Sequence, residues 1–377
     1  MSLAPKLAFR NLFQDRLRLM ATVVGIGFSM VLVTIQMGLY VSFERMVTVM
    51  IDHANADLWI VPKGSKSFED PSFLDERERF RCLSLDGVLN AVPLVVGFGR
   101  WRAPSGATTP IFVVGADRHG DGLQPWNLVE GSVESLAVPG AVAIDQSYFD
   151  RLETNRVGET AEINDRRVKV QETTHGIRSF TTMPYVFVSP DLARAVTGTP
   201  PNKASYFIVH LAEGRNVTDI RDQLRTLLID ADVLTPAEFG QRSRTFWVSG
   251  TGAGAALLMG SLLALVVGTV IVAQTLYSST KDHLYEFATL RAIGSSSGYI
   301  IEVIIIQALL SAIMGFCLAA GIARVVVWAT AETALPVVMT PSMTVMVLIV
   351  TILMSVISAA LAITKVMRID PVVVFAR

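Results

Sequence analysis

Charge is what this 377-residue chain has least of: 17% of its residues are Asp, Glu, Lys or Arg, while 51% are hydrophobic. Soluble domains carry about 25% charged residues. Four stretches hold no charged side chain at all, residues 19–43, 245–280, 303–323 and 333–364. Each reaches the ~20 apolar residues needed to cross the hydrocarbon of a bilayer. The chain therefore reads as a membrane protein with four transmembrane helices. Cysteine is nearly missing too. Cys82 falls outside the spans and Cys317 within the third, which excludes a disulfide framework.

Catalytic patterns are also lacking. His53, His119, His175, His210 and His283 are isolated, without the spacing of a metal site. No G-x-S-x-G elbow occurs. The segment "PKGSKSF" lacks the first glycine of a phosphate-binding loop, so no nucleotide site is encoded. Glu76 and Glu78 lie in "DERERFR", which fits a solvated face. Within the spans, Glu302 and Arg324 stand near the two ends of the third, and Gln36, Gln274 and Gln307 are the larger polar residues. A charge at the bilayer midplane costs about 2.5–3.5 kcal/mol, so working ion relays show as buried carboxylates. None is visible, which argues against a secondary transporter with a midplane ion site.

What is present gives orientation. Lys6, Arg10, Arg16 and Arg18 precede the first span; Lys281 and Arg291 lie between the second and third; Lys365, Arg368 and Arg377 follow the fourth. The connection "WATAETALPVVMTPSM" has neither Lys nor Arg. Positive charge marks the cytoplasmic side, so both termini and residues 281–300 are expected inside and the long segment outside. The first span is longer than the ~7–15 apolar residues of a cleaved signal and has no A-x-A site after it. It reads as a retained anchor.

The expected organisation is an amphipathic interfacial helix at 1–18, spans at 19–43, 246–280, 299–327 and 341–364, and an extracytoplasmic domain at 44–245. A coupling helix and turn occupy 281–298, a short outer loop 328–340 and a cytoplasmic tail 365–377. In the first segment Leu7, Phe9, Leu12, Phe13, Leu17 and Leu19 keep helical spacing among the basic residues, as in helices that lie at a lipid surface. The domain alternates β-branched runs such as "DLWIVPKG", "PLVVGFGRW", "TPIFVVGAD" and "SYFIVHL" with helical patterns such as "NVTDIRDQLRTLLID". In the latter, Val217, Ile220, Leu224, Leu227 and Leu228 mark one buried face. The fold class expected is an α-helical membrane protein with four transmembrane helices and a mixed α/β extracytoplasmic domain between helices 1 and 2.

Small residues recur on the spans. Gly25, Gly27 and Gly38 fall in the first, and Gly250 and Gly254 form a G-x-x-x-G at the second, followed by Gly260 and Gly268. Such residues let helices approach closely in lipid, within one chain or between two. In "KDHLYEFATLRAIGSSSGYI", Leu284, Phe287, Leu290 and Ile293 form an apolar stripe, with Lys281, Asp282, Glu286 and Arg291 polar. Gly294 with Ser295 to Ser297 would end that helix. Periodicity leaves two readings open, a helix resting on the bilayer or a knob that docks into a cytosolic motor.

"EFATLRAIG" after the second span and "IDPVVVFAR" at the C-terminal end resemble the MacB/FtsX-type (type VII) ABC transporter permeases. "LAFRNLFQDRLRLMATVVGIGFSMVLV" is similar to the family's entry into its first span, and "LWIVPKGS" to its DevC-like branch. The likeness covers the whole chain in order. It implies a homodimer in the bacterial inner membrane that works with two copies of a separate ATPase subunit. That partner uses ATP and Mg, and this chain binds no cofactor. Residues 281–294 would be the coupling helix, with Glu286, Leu290, Arg291 and Gly294 at the ATPase contact and Asp370 and Pro371 in a tail near the same face. The implied activity is mechanotransmission, in which ATP-driven dimer closure moves the outer domains to export or extract a lipophilic or amphiphilic molecule. A periplasmic adaptor and an outer-membrane duct are further implied partners; nucleic acid is not. The alternative is a transmembrane signal transmitter of the FtsX kind that moves no substrate.

Overall fold

A computed structural model describes residues 4–117, 121–282, 289 and 296–366. The chain forms two compact units, one of residues 1–41, 255–331 and 336–377, the other of residues 42–254 and 332–335.

The first unit is helical. Helix α1 (Ala4–Gln14) stops at Asp15, and α2 (Arg16–Asp52) begins there. The break is local chemistry, because Asp15 Oδ1 accepts the Arg18 N–H at 3.1 Å and pairs with its guanidinium at 3.6 Å, an N-cap interaction. The basic segment read as one helix over 1–18 is thus two. Ala4, Ala8 and Asn11 are buried, while Phe9 and Phe13 are exposed and stack with their ring centres 4.3 Å apart. The small face, not the aromatic one, packs against the third span.

Among the described residues four helices are long and apolar enough to cross a membrane: Arg16–Asp52, Ala253–Ser278, Gly298–Thr330 and Pro341–Thr364. The last three lie in α8 (Ala253–Asp282), α9 (Ser297–Thr330) and α10 (Pro341–Val366). Glycine decides how they meet. A Cβ on Gly25 would stand 2.7 Å from Ile271, and one on Gly27 2.9 Å from Leu318. A Cβ on Gly315 would run into Ile26, and one on Gly268 into Ser29. Helix α2 is therefore packed tightly on both α8 and α9. Polar side chains also bridge the helices, Ser29 of α2 donating to the Ala264 carbonyl of α8 and Ser358 of α10 to the Thr269 carbonyl of α8, both at 3.0 Å.

The second unit begins with the last turns of α2. Its sequence "ERMVTVMID" stays helical with Met50 and Ile51 buried in the domain core, which is why the helix outlasts the span read at 19–43. The domain has two lobes. Strands β1 (Leu58–Pro62), β3 (Val88–Leu94), β12 (Tyr206–Leu211) and β13 (Ala231–Leu234) form an antiparallel sheet in the order β13-β1-β12-β3. Helices α3 (Arg77–Leu83) and α6 (Val217–Leu227) complete a β-α-β-β-α-β arrangement of the ferredoxin-like kind. Between its two halves, β3 and β12, a second lobe is inserted.

That lobe contains β4 (Val96–Arg102), β5 (Thr108–Gly115), β6 (Leu128–Glu130), β7 (Ala141–Asp145), β8 (Thr160–Ile163), β9 (Arg166–Thr174) and β10 (Tyr185–Val188). The order β9-β7-β10-β5-β4-β8 closes on itself because β8 also pairs with β9, and β6 adds to the outside of β9. Alternation assigns the faces. Ile111, Val113, Val142, Ile144, Val186 and Val188 fill the barrel. Their neighbours Phe112, Val114, Ala143, Tyr185 and Phe187 turn outward to meet Trp59, Val61, Tyr206 and Ile208 of the other sheet. Leu58, Ile60, Phe207 and Val209 face the opposite way, onto Ile220 and Leu224 of α6 and Cys82 of α3. Leu227, read as part of that buried face, is exposed at 39%.

Gly315→Leu should lower the detergent-solubilised stability of the chain by about 1–3 kcal/mol through overpacking against Ile26. Gly321→Ala, whose Cβ would meet nothing within 4 Å, should change it by less than about 0.5 kcal/mol. Parallel thermal melts check both.

Candidate functional site

The segment singled out for coupling lies outside the described residues: Leu284, Glu286, Phe287, Leu290, Arg291, Ile293 and Gly294 are among those positions, as are Asp370 and Pro371 of the tail. Its two borders are described. Helix α8 continues to Asp282, and Ser296 caps α9, its Oγ accepting the Tyr299 N–H at 3.3 Å. Ser296 thus starts the third span.

A second constellation, unread in the sequence, sits where the second unit receives its membrane-connected segments. Helix α7 (Pro236–Arg244) is started by a capping box: Glu238 N–H donates to Thr235 Oγ1 at 3.2 Å and Thr235 N–H to Glu238 Oε2 at 2.9 Å. It lies along the end of α2, where Arg244 donates to Thr48 Oγ1 at 3.3 Å and Thr48 donates to Asp52 at 2.7 Å. Beyond α7, residues Thr245–Gly250 widen into a π-helical turn, with Thr251 N–H reaching back five residues to the Phe246 carbonyl at 3.0 Å. Gly252 follows with φ +77°, a left-handed conformation open chiefly to glycine. Only then does α8 begin.

This break corrects the reading of Gly250 and Gly254 as one helix-pairing face. A Cβ on Gly254 would meet Val248 of its own chain segment, its carbonyl 2.7 Å away, and one on Gly250 would meet Phe246 at 3.6 Å. The two glycines serve a tight local turn. The motif misleads because Gly252 inside it leaves the helix. Gly25, by contrast, lies at the close approach of α2 to α8 described above.

One loop of the barrel lobe touches all the incoming segments. Phe180 packs edge-on to Phe43 of α2, ring centres 5.3 Å apart, and onto Trp247 at 4.7 Å. Arg178, almost fully buried, reaches Glu332 of the outer connection at 3.9 Å. Next to it, Tyr185 donates from its hydroxyl to Glu69 Oε1 at 2.9 Å. Glu69 is buried, with the Ser67 and Trp247 side-chain polar atoms beside its carboxyl. Burial pushes the Glu69 carboxyl up to about 7, against the Tyr185 hydrogen bond that favours the ion. Burial, and then the Glu69 charge, drives the Tyr185 and Tyr206 hydroxyls well above their ordinary value. Elsewhere Glu172 is raised to about 7, mainly by burial. Cys82 is raised to about 12 by burial and the nearby Glu78, so its thiol is unreactive. No group of three or more metal-ligating side chains occurs among the described residues.

A group whose folded-state value is raised stabilises the fold fully below its unfolded value, and that stability is lost as pH rises through the raised one. Glu69 and Glu172 should therefore make the chain less stable between pH 4.5 and about 7, each on the order of 3 kcal/mol. Glu69→Gln should reduce the slope, and the double variant with Glu172→Gln should flatten it, in melts followed by tryptophan fluorescence. An unchanged slope in the double variant would refute the assignment.

Residues 19–227 match the MacB-like periplasmic core domain and residues 258–371 the FtsX-like permease C-terminal model. An uncharacterized ABC transporter permease of Mycobacterium tuberculosis, in strains H37Rv and CDC 1551, is 24% identical over 328 residues, 84% of each chain. Among solved structures, the periplasmic region of MacB from Actinobacillus actinomycetemcomitans is 14% identical with a TM-score of 0.37, over 51% of this chain and 94% of that one. The extracellular domain of the noncanonic ABC-type transporter YknZ from Gram-positive bacteria is 16% identical with a TM-score of 0.36, over 48% and 99%.

Proposed function

We propose a force-transmitting role for this chain, which belongs to the MacB/FtsX-type ABC transporter permeases and is a membrane subunit whose family implies an ATPase partner. In this reading it works in the bacterial inner membrane as a homodimer with two ATPase copies, with both termini in the cytoplasm. ATP and Mg belong to the partner. Residues 281–294 seat in the ATPase, and nucleotide-driven closure is delivered to the outer domain, exporting or extracting a lipophilic or amphiphilic molecule. An adaptor and outer-membrane duct would extend the route.

The observation that carries this reading is the unbroken helix Arg16–Asp52. At 1.5 Å per residue it is about 55 Å long, whereas the hydrocarbon is only ~30 Å thick. Its far end is built into the domain core through Met50 and Ile51. A rod of this kind carries displacement, while the turn at 245–252 gives the other root freedom to follow.

Val41→Pro would remove a backbone hydrogen bond and kink the rod, at about 3 kcal/mol. The expected result is an ATPase complex that assembles and hydrolyses ATP but no longer moves its outer domains. Spin labels at Phe98→Cys of the two copies would report that movement, in a Cys317→Ser background because Cys317 is exposed and Cys82 buried. Movement that persists in the Val41→Pro variant would refute the lever.

Docking is tested separately. Glu286→Lys or Leu290→Asp should abolish co-purification of the ATPase while leaving membrane insertion intact. A complex that survives both changes would remove residues 281–294 from the contact.

A further inference from the structure

Beside the edge strand β13 lies a cleft of about 500 Å³ lined by Lys63, Arg225, Ile229, Asp232 and Arg242, among others. A second hollow of about 490 Å³ shares Asp232 and Arg242 with it and is walled by Lys66 and Phe246. The two form one groove with four cations and a single acid, in a chain whose net charge is −1. That acid is already engaged, since Arg242 donates to Asp232 at 2.6 Å and to the Ser65 carbonyl at 3.3 Å. Glu238 nearby is held by Arg221 at 2.9 Å and Arg225 at 3.4 Å. Lys63 has only the Ile229 carbonyl, at 3.3 Å, and Lys66 lies 5.3 Å over the Phe246 ring. Neither ammonium has a carboxylate partner among the described residues.

We propose that this groove binds a phosphate-bearing ligand. Two ammonium groups and the spare N–H groups of Arg242 supply more charge than one carboxylate would neutralise, and donors from several directions suit a tetrahedral dianion. Addition of a peptide strand along β13 is disfavoured, because the Val233 carbonyl is already bonded by Arg225 Nε at 2.9 Å. Ile229, exposed at 73%, and Phe246 offer apolar contact for whatever the phosphate is attached to. The volume falls in the range of small-ligand sites. The source is either a lipid headgroup or a free phosphoester, and the site is independent of force transmission.

The test is calorimetric titration of the full chain in detergent with glycerol 3-phosphate and, separately, with dihexanoyl phosphatidic acid. Saturable binding is expected, weakened about tenfold or more by Lys63→Glu with Lys66→Glu. These side chains are exposed, so the fold should survive; an unchanged melting temperature verifies this. Tighter binding of the lipid, lost in Ile229→Ser, identifies a headgroup source. Equal affinities identify a free phosphoester. No saturable binding of either probe, or binding indifferent to the charge reversal, overturns the proposal. So does weakening of equal size in Arg100→Glu, outside the groove, which would leave only diffuse attraction.

Discussion

Hydrocarbon offers no water to a backbone, so every peptide N–H and C=O inside it must be paired within the segment that crosses. Helix α2 obeys that constraint and carries it further than the membrane requires. Thirty-seven residues run from Arg16 to Asp52 without interruption. The side chains change along the way: Ile26, Met30 and Val33 are buried among the other spans, and Met50 and Ile51 among domain side chains. One hydrogen-bond ladder therefore belongs to both compact units.

The other long connection is built on the opposite principle. Between α7 and α8 the ladder widens at Thr245–Gly250 and then fails at Gly252. Widened turns and left-handed glycines are where a helix bends at low cost. A stiff root and a hinged root thus enter the same domain, and the Phe43–Phe180–Trp247 stack touches both.

Much of this was legible in the residues because the signals were local. Charge-free runs longer than ~20 residues report spans whatever they pack against, and the alternation in "DLWIVPKG" or "SYFIVHL" reports strands. The spacing in "NVTDIRDQLRTLLID" placed α6, although Leu227 turned outward because the helix ends there. Long-range features were not legible. Nothing near "PLVVGFGRW" tells that the chain leaves one sheet at Val95 and builds a closed barrel before returning at Tyr206. The turn at 245–252 was missed because "SRTFWVSGTGAG" holds few charges beside the span it precedes; Gly252 between Gly250 and Gly254 was the available hint. Glu69 carried no signal at all, since burial by side chains distant in sequence raises its carboxyl, and its partner Tyr185 lies 116 residues away.

Where the molecule tolerates imperfection is itself informative. The helix contacts in the first unit are close enough that glycine is required, and apolar side chains fill the barrel. Even so, buried polar atoms without a partner among the described residues occur in both units: Asn11, Gln36, Ser311 and Ser355 in the first, and Trp59, Ser65 and Ser243 in the second. A buried polar group without a partner costs about 1–3 kcal/mol, so each of these places is held less firmly than the apolar packing around it. Local openings are drawn from such places, while well-packed cores move as bodies. Around Glu69 the local stability depends on pH as well, through the carboxyl that burial has raised.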